Sequence, residues 1–229
     1  PGVAEALRAF GVGVVDVVAP LVPIVKFQAA FYEAYGPEGV GALHATTRYA
    51  QEKGLLVLLD GKRNDIGSTA DAYARAYLGK VPVGEKFEPS WNVDGLTVNP
   101  YLGTDGINPF VKVAAREGKG LYVLVRTSNA SAGEFQDLIA DGKALYQHVA
   151  GRLAQWAEPF RGESGYSLLG AVVGATYPDQ LAELRAALPG IPFLVPGYGT
   201  QGGSSKDVAP AFDADGLGAD GDPGVVEGA

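Results

Sequence analysis

The sequence predicts an α/β protein, a parallel sheet covered by helices. Three observations carry this. Short β-rich runs alternate with helical stretches along the whole chain. The runs 55–59 and 121–125 are nearly continuous aliphatics, the pattern of strands buried on both faces. Polar residues cluster just after the strands, where both doubly wound sheets and α/β barrels carry their ligands.

The elements follow in order. Residues 3–10 predict a helix and 21–27 a strand. Residues 38–53 are helical, and 55–59 form a second strand. Ser68 or Thr69 is suited to cap the Ala-rich helix that runs to Leu78. Residues 79–92 are polar, rich in Pro and Gly, and predict a long loop. A strand at 95–98, a helix at 107–116 and a strand at 121–125 come next. Residues 131–160 are mostly helical, with a break near Gly142. A strand at 168–173 precedes a helix that opens on Pro178, a residue suited to a first turn. A strand at 192–195, a glycine-rich loop at 197–203, a short helix at 204–212 and a strand at 216–219 complete the series. The tail 213–229, rich in Gly and Asp, otherwise reads poorly as structure. Seven strands fit a doubly wound sheet, or a (β/α)8 barrel one strand short. No linker, repeat or low-complexity tract divides residues 1–229, so one domain is expected.

Composition narrows the function. With 18 Lys and Arg against 26 Asp and Glu, the net charge is −8, which argues against nucleic acid as the main partner. One local basic group could still hold one phosphate. Cysteine is absent, which removes disulfides, thiol nucleophiles and cysteine metal sites and fits a reducing compartment such as the cytoplasm. The two histidines, His44 and His148, are far apart and predict packing or surface roles rather than a metal site. No apolar run approaches the roughly 20 residues of a membrane span, and no signal-like segment opens the chain. Methionine is absent, position 1 included.

The strongest local feature is Leu55-Leu-Val-Leu-Leu-Asp60-Gly-Lys62-Arg-Asn-Asp65-Ile66. A buried strand ends there in two carboxylates and a lysine. An extended chain puts Asp60 and Lys62 on one face. A lysine between two carboxylates is held cationic, and so suits a general acid rather than a nucleophile. Fixed charges at a buried strand end mark a candidate site, although a solvated charge cluster has the same spacing. Lys26 closes its own strand and is placed to pair with Asp60, or else to reach solvent. The four glycines between Gly197 and Gly203 allow backbone amides close to an anion, or simply a tight connection. Thr127-Ser128-Asn129 could read a polar heterocycle or cap the next helix. Arg126 reads as structural or as a rim charge. Asn99 is placed to line the mouth. No Ser-His-Asp order and no P-loop is present.

Asp60-x-Lys62-x-x-Asp65-Ile66 resembles the hallmark of the orotidine 5'-monophosphate decarboxylase family. The longer string Asp-Gly-Lys-Arg-Asn-Asp-Ile-Gly-Ser-Thr-Ala is similar to the bacterial branch with larger chains. So are Lys26 with Phe31-Tyr-Glu-Ala-Tyr-Gly-Pro-Glu-Gly, Leu96-Thr-Val-Asn-Pro-Tyr-Leu-Gly, Arg126-Thr-Ser-Asn and Val195-Pro-Gly-Tyr-Gly-Thr-Gln-Gly-Gly. These motifs run in order from about Gly2 to Ala219.

The resemblance implies a (β/α)8 barrel acting as a homodimer, with neither metal nor organic cofactor. It implies that Lys62 protonates C6 of the pyrimidine as carbon dioxide leaves, and that Asp60 lies beside the substrate carboxylate. Lys26 would bridge Asp60 and the ribose. Asp65 would be contributed across the dimer interface, and Ile66 would make an apolar contact near the leaving group. Ser128 would hydrogen-bond the pyrimidine edge, Pro196 would line the pocket, and Gln201 would match the phosphate-loop glutamine, with Gly199 in the same loop.

Two family elements have no counterpart in the sequence. One is a first strand ending in an aspartate. The other is an Asn-Ser-Ser-Arg-like segment after the last strand; no arginine follows Arg185, and Ala130 stands where a proline is expected. The expectation is that the first strand and the last strand-to-helix segment lie outside these residues. Two competing functions share the pattern: a Mg²⁺-dependent sugar-phosphate decarboxylase or aldolase of the same superfamily, and a nucleotide-binding homologue without turnover.

Overall fold

The computed structural model describes residues 2–199, 202–212 and 225–228. The chain divides into two compact units, one of residues 1–98 and 105–119, the other of residues 99–104 and 120–229.

The first unit runs through α1 (Val3–Val18), β1 (Ile24–Gln28), α2 (Ala29–Glu33), α3 (Gly36–Glu52), β2 (Leu56–Arg63), α4 (Gly67–Leu78), β3 (Lys80–Val83), β4 (Lys86–Pro89), β5 (Gly95–Val98) and α5 (Thr104–Glu117). Its sheet is parallel. β1 pairs with β2, placing Lys26 beside Leu58 and Gln28 beside Asp60. β2 pairs with β5 through Leu58–Gly95 and Leu59–Leu96, and then the register jumps to Arg63–Val98. That irregularity is a bulge, which bends a strand and re-aims its side chains. Val57, Leu58, Leu59, Leu96 and Val98 fill the core beneath the strand ends.

Several expectations change here. α1 continues past Phe10 to Val18, and Gly11 within it is a close-approach point. A Cβ on Gly11 would lie 2.7 Å from Thr46 Cγ2, so only glycine lets α1 seat on α3. β1 begins at Ile24 rather than 21: the chain first turns, with Leu21 and Val22 donating back to Val18, and two prolines there lack N–H groups. Ser68 and Thr69 lie inside α4; Ile66 occupies the N-cap, without a side-chain cap bond. The expected loop 79–92 holds an antiparallel hairpin, β3 with β4, turning at Gly84. Its residues are almost all exposed, so no core face imposed a readable alternation.

The second unit contains β6 (Gly120–Arg126), α6 (Gly133–Gln136), β7 (Ile139–Ala140), β8 (Lys143–Ala144), α7 (Leu145–Ala157), β9 (Leu169–Val173), α8 (Pro178–Ala187), β10 (Phe193–Pro196), α9 (Ser205–Val208) and β11 (Val225–Gly228). β6 pairs with β9 and β9 with β10, all parallel. The helical stretch expected at 131–160 is interrupted by the small hairpin β7–β8, whose turn contains Asp141 and Gly142 at positive φ. Pro178 opens α8 as expected. The strand expected at 216–219 lies outside the described residues. The tail instead supplies β11, parallel to β10 with Phe193 opposite Val225. No helix among the described residues is long and apolar enough to cross a membrane.

Candidate active site

In the first unit the polar residues gather at the carboxyl ends of β1, β2 and β5. Asp60 is their centre and is nearly buried. Its Oδ1 accepts from Lys62 Nζ at 2.6 Å and from the Thr97 hydroxyl at 2.8 Å. Its Oδ2 accepts from Gln28 Nε2 at 3.1 Å and from Lys26 Nζ at 3.4 Å. Four donors on two oxygens fix the carboxylate in rotation and in charge. Burial by itself would raise the Asp60 carboxyl. The hydrogen bond and charge of Lys62, the Thr97 hydroxyl and the charge of Lys26 outweigh it and hold the group below the usual carboxylate value. Lys26 therefore pairs with Asp60, one of the two outcomes its position allowed.

Lys62 reaches Asp60 by a route the spacing did not show. Its backbone is not extended but left-handed, at φ 44°. Among the described residues the only other non-glycine residues at positive φ are Asn92 and Asp141, types whose short polar side chains tolerate it. The bulge in β2, rather than strand alternation, presents the ammonium, and Lys62 is correspondingly half exposed. A cleft of about 320 Å³ lies alongside, lined by Gln28, Phe31, Glu33, Asp60, Lys62 and Arg63. Arg63 anchors its wall: it pairs with Glu33 at 2.5 Å, donates to Tyr77 Oη and the Gly61 carbonyl, and stacks over the Tyr77 ring.

Asp65 is not brought to Lys62 within the chain. Its Oδ1 accepts the Ile66 N–H at 2.8 Å, and no ion pair joins it to Lys62 among the described residues. Ile66 is half exposed, an unusual setting for a large aliphatic.

In the second unit Thr127 and Ser128 follow β6. They do not cap the next turn: Asn129 occupies its N-cap without a side-chain cap bond. Gln136 holds this segment, accepting from Thr127 N at 2.9 Å and donating to Thr127 Oγ1 at 2.7 Å. The Ser128 carbonyl accepts from Thr176 Oγ1 at 3.1 Å. Arg126 is wholly buried, so it is structural and not a rim charge. Asn99 and Thr127 line a cavity of about 600 Å³ with Tyr101, Phe135, Gln136 and Tyr146. The Asn99 Oδ1 is engaged locally by the N–H of Tyr101. Pro196 ends β10, and the amides of Gly199, Gly202 and Gly203 all donate to carbonyls within their own loop. Gln201 lies outside the described residues. His44 is a packing residue, edge-on to Trp91 with Nε2 at 3.0 Å from the Ser90 carbonyl.

Sequence reasoning did not single out Gln28 or Thr97. Gln28 was legible as the residue two beyond Lys26 on the same strand. Thr97 stands within the quoted run Leu96-Thr-Val-Asn, but nothing marked it out there, since threonine in a Leu-Thr-Val run is what strands contain.

The profile of the orotidine 5'-phosphate decarboxylase / HUMPS family matches residues 11–222. The chain belongs to this family. An orotidine 5'-phosphate decarboxylase of Rhodopirellula baltica is 52% identical over 217 residues, which is 95% of this chain and 71% of the relative. That of Caldicellulosiruptor bescii is 47% identical over 205 residues, covering 90% and 67%. The structure of Leishmania donovani OMP decarboxylase has 32% identity and a TM-score of 0.76, covering 99% of this chain and 79% of that one. The UMP synthase of the same organism has 33% identity and a TM-score of 0.80, covering 99% and 45%. The fold is accordingly the family's α/β barrel. The family's reaction, decarboxylation of orotidine 5'-monophosphate to uridine 5'-monophosphate in pyrimidine synthesis, makes the chain a carboxy-lyase.

Proposed function

We propose that the decarboxylation runs on side chains alone, without metal or organic cofactor, and that Lys62 is its proton donor. The observation that carries this reading is the alternation Lys26–Asp60–Lys62, with both Asp60 oxygens already engaged by cations and neutral donors. A carboxylate so engaged is poorly placed to be a metal ligand and well placed to aim an ammonium.

The step balances simply. The bond from C6 to the carboxylate carbon breaks, carbon dioxide leaves, and the electron pair stays on C6. Lys62 stabilises that charge through its fixed ammonium and transfers a proton to C6, and its amine regains a proton from water. Asp60 beside the substrate carboxylate disfavours the bound ground state and holds Lys62 in line. Lys26 links Asp60 to the ribose. Ser128 reads the pyrimidine edge, with Asn99 and Pro196 lining the pocket. Gly199 and Gln201 belong to the phosphate loop, whose binding energy is used at the reacting carbon.

The active form in this reading is a cytoplasmic homodimer, each protomer a single barrel domain over residues 1–229. Asp65 and Ile66 act in the partner's site. Two facts support the sharing: Asp65 makes no ion pair with Lys62 of its own chain among the described residues, and Ile66 leaves a large aliphatic surface uncovered.

Decarboxylation of orotidine 5'-monophosphate, followed by ultraviolet absorbance in EDTA, tests the reaction. Turnover in EDTA that falls by at least about 100-fold in Lys62→Ala is expected for a lost general acid. Activity that requires Mg²⁺, or a preference for a ketose phosphate, would select the sugar-phosphate reading. Tight uridine 5'-monophosphate binding without turnover would select the binder. Mixing Lys62→Ala with Asp65→Asn protomers tests the sharing, because partial recovery of activity requires sites built from two chains.

A further inference from the structure

We propose that Thr97 is a positioning residue of the reacting pair: its hydroxyl ties the Lys62 backbone to the Asp60 carboxylate and so fixes where the ammonium is presented. This rests on the reading of Lys62 and Asp60 given above, and goes beyond it by placing their control on a neighbouring strand.

Between the pairs Leu59–Leu96 and Arg63–Val98, three residues of β2 (Asp60, Gly61, Lys62) stand opposite one residue of β5, Thr97. In such a bulge the extra residues lose their ladder partners. An N–H left without a partner beside the core is costly. Thr97 supplies the missing partner from its side chain, since its Oγ1 accepts the Lys62 N–H at 2.9 Å. The hydroxyl proton is directed the other way, to Asp60 Oδ1 at 2.8 Å. One fully buried oxygen thus joins both ends of the Asp60-Gly61-Lys62 segment. It also steadies Lys62 in a left-handed conformation that non-glycine residues disfavour. Without it, the Lys62 backbone could relax and the ammonium would move with it. Serine keeps both bonds. Valine keeps the shape and β preference and loses both.

The test compares Thr97→Val, Thr97→Ser and Lys62→Ala by steady-state kinetics, with uridine 5'-monophosphate affinity and thermal unfolding measured on each. Thr97→Val is expected to lower kcat roughly 10- to 100-fold, the scale of one hydrogen bond to a charged group, with KM and nucleotide affinity within about threefold. Thr97→Ser is expected to restore kcat to within about threefold of the parent. Lys26 from β1 and Lys62 from β2 are the charged groups facing Asp60, and β5 brings none. The acid limb of kcat should therefore shift to higher pH in Thr97→Val and stay in place in Thr97→Ser. A fully active Thr97→Val with only a lower melting temperature would overturn the proposal. So would a Thr97→Ser variant as impaired as Thr97→Val. A fully active Lys62→Ala would overturn the reading of the centre itself. An inactive Lys62→Ala beside a fully active Thr97→Val would overturn only the role of Thr97.

Discussion

The guanidinium carbon of Arg126 lies 3.9 Å from the ring centroid of Tyr177, and no solvent reaches the arginine side chain. Around it stand Gln180 Oε1 at 2.5 Å, Gln136 Oε1 at 3.1 Å and Asp137 Oδ2 at 3.3 Å. This is a planar cation stacked on one face and held at its edges, an arrangement lysine does not reproduce. Removing it strips Gln136 of one of the two donors on its oxygen and frees the clamp on Thr127. Arg126→Met should therefore lower stability by about 1–3 kcal/mol, the cost of leaving buried hydrogen-bonding groups such as the Gln136 oxygen without their donor. Urea unfolding checks this, and a loss below about 1 kcal/mol would show the cluster to be dispensable.

Gly174 makes a sharper functional prediction. A Cβ there would lie 2.8 Å from both Cα and Cβ of Ser128 and 2.9 Å from its nitrogen. Gly174→Ala should push Ser128 out of place and raise KM roughly tenfold or more, since about 1 Å of misplacement can cost two orders of magnitude. Steady-state kinetics on the folded variant would show it; an unchanged KM would remove Ser128 from the pyrimidine contact.

Acid should unfold the protein through two anchored carboxylates. Burial would raise Asp94, but the hydrogen bond to Lys119, those from Gln51 and the Val57 N–H, and the Lys119 charge hold it low, and Asp60 is lowered likewise. A group whose folded-state pKa is depressed contributes stability above its unfolded value, here about 3.8, and loses it as pH falls through the lower folded value. The urea midpoint should thus drop steeply below about pH 4, and Asp94→Asn should flatten that drop. An equally steep drop in Asp94→Asn would place the effect elsewhere.

The strands and the charge cluster were readable because their causes are local. Of the aliphatics from Leu55 to Leu59 all but Leu56 are buried as their run predicts, and Asp60, Lys62 and Asp65 specify charge at its end. The hairpin from Lys80 to Pro89 was not readable, because its residues bury almost nothing and carry no period. Gly11 carried no local signal either: its meaning lies in Thr46, thirty-five positions away. Thr97 was invisible because its role exists only once a bulge has placed Lys62 across from it.

The left-handed backbone at Lys62 has a consequence for how the chain tolerates change. In most helices and strands a change from alanine to glycine loosens the fold. At position 62 the order should reverse, with Lys62→Gly about 1 kcal/mol more stable than Lys62→Ala because only glycine is at ease there. Equilibrium unfolding of the two variants would reveal the inversion. Stability alone would therefore favour glycine at this position, so a lysine there runs against the preference of its own backbone.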